Sequence, residues 1–157
     1  MYLLFDIGGT HTRIAISNAT NKISQCVTTD TPPRYREGLE LIISTTKQLI
    51  GETQPTAIAG GIAGPFNKEK TALFRAPHLS DWAQKPIKQD LENAFHVPVL
   101  LQNDTALGGL GEAVFGAGKE KGIVAYIAIG TGVGGVRIVN QTIDTHVFGF
   151  EIGHQII

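Results

Sequence analysis

Apolar residues recur along this chain in short runs, each closed by glycine or a polar turn. Leu3 to Ile7 ends in Gly8-Gly9, which predicts a buried strand opening a tight turn. Arg13 to Ser17 alternates, with Ile14 and Ile16 on one face, and Ile23 to Thr29 is strand-like beyond the Asn18–Asn21 turn cluster. These runs predict a meander of antiparallel strands with tight connections. Leu39, Ile42, Ile43, Leu49 and Ile50 then keep helical spacing, predicting a helix from about Arg36 to Ile50, closed by Gly51.

The pattern next predicts a buried strand at Ala57 to Ala63, ending in Gly64-Pro65. Phe66 to Ser80 is irregular and reads as a small hairpin. Pro86 suits the first residue of a helix carrying Ile87, Leu91, Ala94 and Phe95. Val97 to Leu101 predicts a strand ending at Gln102-Asn103-Asp104, and Leu107, Leu110 and Val114 line a third helix that ends in Gly116 and Gly118. The pattern then restarts, with a strand at Ile123 to Ile129, a glycine loop, and a strand at Val136 to Val139. Strand, glycine turn with threonine, strand: the second opening echoes the first, which signals an internal duplication. The predicted domains are residues 1–118 and 119–157, the second copy incomplete at Ile157. Lys119, Glu120 and Lys121 read as a solvated linker between them.

Composition narrows the class. The formal net charge is -1, and no basic surplus or charge run points to nucleic acid. The single cysteine, Cys26, excludes a disulfide framework or a multi-cysteine metal site within this chain, and its strand-like setting predicts a buried small hydrophobe. The longest apolar run, Ile123 to Ile129, is too short to span a bilayer, and Asp6 interrupts Tyr2 to Phe5 as a signal-peptide core. A soluble, cytoplasmic protein without membrane partners is expected.

Candidate chemistry sits at the turns. In Asp6-Ile7-Gly8-Gly9-Thr10, glycine lets backbone N–H groups approach phosphate oxygens, threonine adds a donor, and the aspartate at the strand end can hold Mg²⁺ through water. A plain hairpin with a solvated aspartate is the alternative. Gly130-Thr131-Gly132-Val133-Gly134-Gly135 has four glycines in six residues and is no Walker loop, since no Lys-Ser/Thr follows it. It reads as a second close ligand approach, or as a turn. Asn103-Asp104 joins a strand to a helix, where α/β folds place chemistry. Asp104 suits the carboxylate that orients an alcohol and accepts its proton, with Asn103 on the sugar, though an aspartate here also serves as an N-cap. Glu151 and His154 share a helical face and suit adjacent sugar hydroxyls, or a surface ion pair. Trp82 reads as a core or hinge aromatic in preference to a sugar-stacking one, and His11, His96 and His146 as structural or surface residues.

These segments together resemble the ROK family of sugar kinases and related repressors, on its glucokinase branch. The resemblance is carried by Asp6–Thr10, Gly61–Pro65, Ala76–Trp82, Asn103–Glu112, Gly130–Gly135 and Glu151–His154, in that order, nearly end to end. It implies an α/β protein of the actin-like, ribonuclease H-like ATPase fold, with a complete first lobe and the opening strands of a truncated second one. It implies ATP-dependent phosphorylation of a hexose, glucose first, with ATP and Mg²⁺ as cofactors. Asp104 would be the catalytic base; Gly64, His78, Asn103, Asp104, Glu151 and His154 would meet the sugar. Asp6, Gly8, Gly9, Thr10, Thr12 and Arg13 would serve the phosphates on one side, and Gly130, Thr131, Gly132 and Gly134 on the other. Asp6 would lie near the metal. The family's repressors carry an N-terminal helix-turn-helix; Asp6 follows Met1 almost at once, so a kinase is expected in preference to a repressor.

Three departures qualify the resemblance. Family members are about twice this length. Their zinc-binding cysteine cluster would follow His154, a ligand there, so zinc belongs only to a full-length form. His78 stands where the family commonly has a sugar-contacting asparagine. A homodimer is one arrangement that would replace a missing lobe, and a non-catalytic sugar-binding lobe or an inactive fragment is the rival to a kinase.

Overall fold

The computed structural model describes residues 1–19, 22–130 and 132–144. The chain divides into two compact units, Met1–Asp104 and a second that begins at Thr105.

The first unit is built on a sheet of β1 (Tyr2–Ile7), β2 (His11–Ala19), β3 (Lys22–Asp30), β4 (Ala57–Ile62) and β5 (Val99–Asn103), in the order β3-β2-β1-β4-β5. Tight turns make β1, β2 and β3 antiparallel neighbours. β4 and β5 return through the helices α1 (Tyr35–Ile50) and α2 (Ile87–Phe95), so they run parallel to β1. The meander, the three helices and the later strands match the periodicity.

Burial follows the pleat. Leu3, Phe5 and Ile7 of β1, Ile58 and Ile62 of β4, and Val99 and Leu101 of β5 are buried. They join one core with Ile42 of α1, Leu91 and Phe95 of α2, and Trp82. The alternate residues Tyr2, Leu4 and Asp6, with Leu100, are partly or fully exposed. The apolar run of β1 therefore alternates in burial and is not enclosed on both faces. Phe5 crosses β4 at Gly60, where a Cβ would overlap its ring.

Several expectations shift. Cys26 is exposed, because β3 is an edge strand bonded to β2 alone and nearly all its residues face solvent. Pro86 precedes α2 as its N-cap and is not its first helical residue. The 66–80 segment closes a bridge between Phe66 and Leu73, followed by a short 3-10 turn at Ser80–Trp82. Gly51 ends α1 at φ 60°, where its N–H donates to the Lys47 carbonyl.

Helix α3 (Asp104–Val114) begins where β5 ends; from Thr105 onward it belongs to the second unit, with a sheet of β6 (Ile123–Ile129), β7 (Val133–Val139) and β8 (Thr142–Ile143). Ala106 and Ala113 of α3 pack with Val136 and Ile138 of β7. β7 starts earlier than expected, and Gly134 and Gly135 are strand residues paired with Ala128 and Ile127. The glycine-rich segment thus narrows to a hairpin turn at 130–132, closed by the Gly130 N–H on the Gly132 carbonyl at 2.8 Å. The strand runs close to α3 there: a Cβ at Gly134 would stand 2.7 Å from the Thr105 hydroxyl oxygen.

Candidate functional site

Three parallel strands bring their carboxyl ends to one edge of the first unit. The register aligns Ile7 of β1 with Ile62 of β4, and Ile62 with Asn103 of β5. The residues that follow are Gly8, Ala63 and Asp104. The Ala63 N–H donates to the Ile7 carbonyl at 2.9 Å and carries the alignment past the sheet. Open α/β sheets bind ligands along this kind of edge.

The turn after β1 is held from both sides. The Gly8 N–H donates to the His11 carbonyl at 2.9 Å, and the Thr31 N–H to the Thr10 carbonyl at 2.8 Å. The Thr31 hydroxyl donates to the Gly8 carbonyl at 2.8 Å and lies 3.0 Å from the Thr12 hydroxyl. Thr12 is 1% exposed, so its hydroxyl braces the turn from beneath. Gly9 and Thr10 are exposed, and among the described residues their N–H groups donate to no backbone carbonyl. Two such amides suit an anion.

Asp6 and Arg13 are partners in register, and the Arg13 guanidinium donates to the Asp6 carboxylate at 2.9 Å. Both side chains are about half exposed, at 44% and 54%, so the pair adds at most about 1 kcal/mol of stability. One Asp6 oxygen is engaged this way. A lone carboxylate of that kind fits a magnesium ion held chiefly by phosphate oxygens and water. Among the described residues, no cluster of three or more His, Cys, Asp or Glu side chains gathers as a metal site.

The sugar-side candidates are seated by buried neighbours. Ala76, Leu79 and Trp82 are buried, while His78 between them is exposed. The Leu79 N–H closes this turn on the Ala76 carbonyl at 3.0 Å, and the Trp82 indole donates to the Pro32 carbonyl at 3.1 Å. His78 sits against the β1 turn: a Cβ at Gly9 would lie 2.8 Å from the His78 Cβ. Gly64, at φ 129°, has no space for a side chain either, since a Cβ would come within 2.7 Å of the Arg75 carbonyl oxygen. Its own carbonyl accepts from the Asn103 side-chain amide at 3.2 Å. The structure therefore groups Gly64 with Asn103 and Gly9 with His78, and Asp104 follows Asn103 as the first residue of α3.

In the second unit Gly130, Gly132 and Gly134 lie on the β6–β7 hairpin, with Gly134 beside Thr105. Thr131, Glu151 and His154 lie outside the described residues. His11 is exposed, 3.3 Å from the Asp30 carboxylate, and His96 caps α2 in the left-handed conformation. Sequence reasoning missed Thr31, which fastens the turn; it follows a strand end with no pattern to mark it. It also missed Asp81, whose carboxylate accepts the Tyr35 N–H at 2.8 Å and caps α1.

The sequence matches the model of the ROK family over residues 2–157. A glucokinase of Streptomyces coelicolor is 30% identical over 151 residues, which cover 95% of this chain and 47% of that protein. A xylose repressor of Bacillus subtilis is 34% identical over 98 residues, 61% of this chain and 25% of the repressor. Among solved structures, a ROK family glucokinase from Streptomyces griseus, in complex with glucose and AMPPNP, superposes with a TM-score of 0.82 at 28% identity, over 94% of this chain and 47% of that one. The chain spans about half the length of these kinases.

Proposed function

The chain belongs to the ROK family and has its actin-like fold, and on that premise we propose that it carries the sugar-phosphorylating site of an ATP-dependent hexose kinase, with glucose the first substrate to test. The observation that supports this reading most is the shared edge, where register aligns Ile7, Ile62 and Asn103 and so gathers the Gly8–Thr10 turn, Gly64 and Asp104. The relatives' activities support the same class, since the Streptomyces proteins are glucokinases.

Each residue then has a role. The Gly9 and Thr10 amides bind phosphate oxygens, and Asp6 holds magnesium through water while Arg13 orients its carboxylate. Gly130, Gly132 and Gly134 leave the second hairpin bare for a phosphate. When bound, ATP supplies the phosphoryl group and magnesium neutralises its charge. Asn103, pinned through Gly64, hydrogen-bonds the sugar, as His78 does from the neighbouring turn. Asp104 orients the attacking hydroxyl. As that oxygen bonds to the γ-phosphorus and the bond to ADP breaks, Asp104 takes the hydroxyl proton. Positioning supplies most of the rate.

The family also contains xylose repressors, which favours one second reading: a lobe that binds sugar without transfer. Coupled ADP release, measured over glucose, mannose, fructose, N-acetylated hexoses and xylose, separates the two. Hexose-dependent turnover is expected. Saturable binding by calorimetry with no turnover would favour the binding lobe, and neither would remove both readings.

A further inference from the structure

We propose that Gly9 is a positioning residue for His78, so that the phosphate turn sets the place of a sugar-facing side chain. The inference rests on the reading of His78 as a sugar contact. A glycine in such a turn is ordinarily explained by close phosphate approach alone. Here a nearer neighbour is present. A Cβ at residue 9 would meet the His78 Cβ at 2.8 Å and its Cγ at 3.4 Å.

Neither side of that contact can retreat cheaply. The turn is fastened by Thr31, through its hydroxyl on the Gly8 carbonyl and its N–H on the Thr10 carbonyl, both at 2.8 Å. The histidine segment is fastened by the buried Ala76, Leu79 and Trp82, and by the Leu79 N–H on the Ala76 carbonyl at 3.0 Å. A methyl at residue 9 therefore displaces either the turn or the histidine. The clashing atom is the β-carbon, so the identity of the imidazole is not what forbids the methyl. Shortening residue 78 to alanine keeps the obstacle; only glycine removes it.

This makes a rescue pattern that a phosphate role does not. The full chain is compared as wild type, Gly9→Ala, His78→Ala, His78→Gly and both double variants, by melting midpoint and by the separate KM values for glucose and ATP. Gly9→Ala is expected to lower the midpoint by about 5 °C, as overpacking does. That loss should persist in the His78→Ala background and largely vanish in the His78→Gly background. Gly9→Ala should raise the glucose KM by about tenfold with a much smaller change for ATP. In the His78→Gly background it should leave the glucose KM unchanged. An equal midpoint loss in all backgrounds would overturn the contact. A rise confined to the ATP KM would overturn the positioning role and leave Gly9 to phosphate alone. A wild type without glucose binding or turnover would refute the kinase reading and with it the sugar role of His78. The six midpoints would then still decide, by rescue or its absence, whether residue 9 seats residue 78.

Discussion

Gly38 lies on α1 where the Trp82 ring crosses the helix, and a Cβ there would overlap that ring. Trp82 is 2% exposed and meets Tyr35 edge to face, with ring centroids 5.5 Å apart. Gly38→Ala should therefore destabilise the protein by about 1–3 kcal/mol, although alanine is the better helix former. A denaturation midpoint unchanged or raised in that variant would show that the ring relaxes freely. Tyr35 makes a second prediction. Its hydroxyl donates to the Asp90 carboxylate at 2.5 Å. Burial first, and then the Asp90 bond and charge, push its pKa well above the usual tyrosine value. The folded state thus resists ionisation that the unfolded chain undergoes near pH 10. The stability this contributes is whole below about pH 10 and is lost as pH rises beyond it, at about 1.4 kcal/mol per pH unit. Tyr35→Phe should flatten that alkaline decline relative to wild type; parallel stability curves above pH 10 would contradict it. Trp82 was legible in the sequence as a core or hinge aromatic. Its need for Gly38 was not, because the two meet only through tertiary packing.

At the scale of elements, the candidate site is built from strand ends. Gly64 follows β4, adopts φ 129°, blocks any side chain against Arg75, and accepts from Asn103 at the end of β5. Gly64→Ala would impose both strain and a backbone clash, costing on the order of 1–3 kcal/mol. It should also raise the hexose KM more than it lowers kcat, since Asn103 loses its anchor; an unchanged KM would detach Gly64 from sugar binding. Most elements were readable because periods of two and of 3.6 residues are distinct signals. Three things were not. An apolar run does not say whether a strand is covered on one face or two, so β1 read as buried while its Tyr2 is exposed and its Leu4 half-buried. An edge position is set by the whole sheet, which exposes Cys26. Gly134 and Gly135 read as loop because glycine is a turn former, whereas pairing with Ala128 and Ile127 of β6 makes them strand residues.

At the scale of the whole molecule, the order of motifs identified the family before any coordinates, and the family match extends over residues 2–157. No helix among the described residues is long and apolar enough to cross a membrane. What the order of motifs left open is the difference between a kinase and a repressor, because the family contains both, and the proposed chemistry rests on the one carboxylate of Asp104, the first residue of α3. Asp104→Asn keeps the size and hydrogen-bonding reach of that side chain but removes its basicity. The most direct test is hexose-dependent ADP release by wild type and Asp104→Asn, with glucose binding measured on both. The account predicts turnover in wild type that falls by about 10²–10⁴-fold in Asp104→Asn while glucose binding persists. Turnover surviving in Asp104→Asn at the wild-type rate would contradict it.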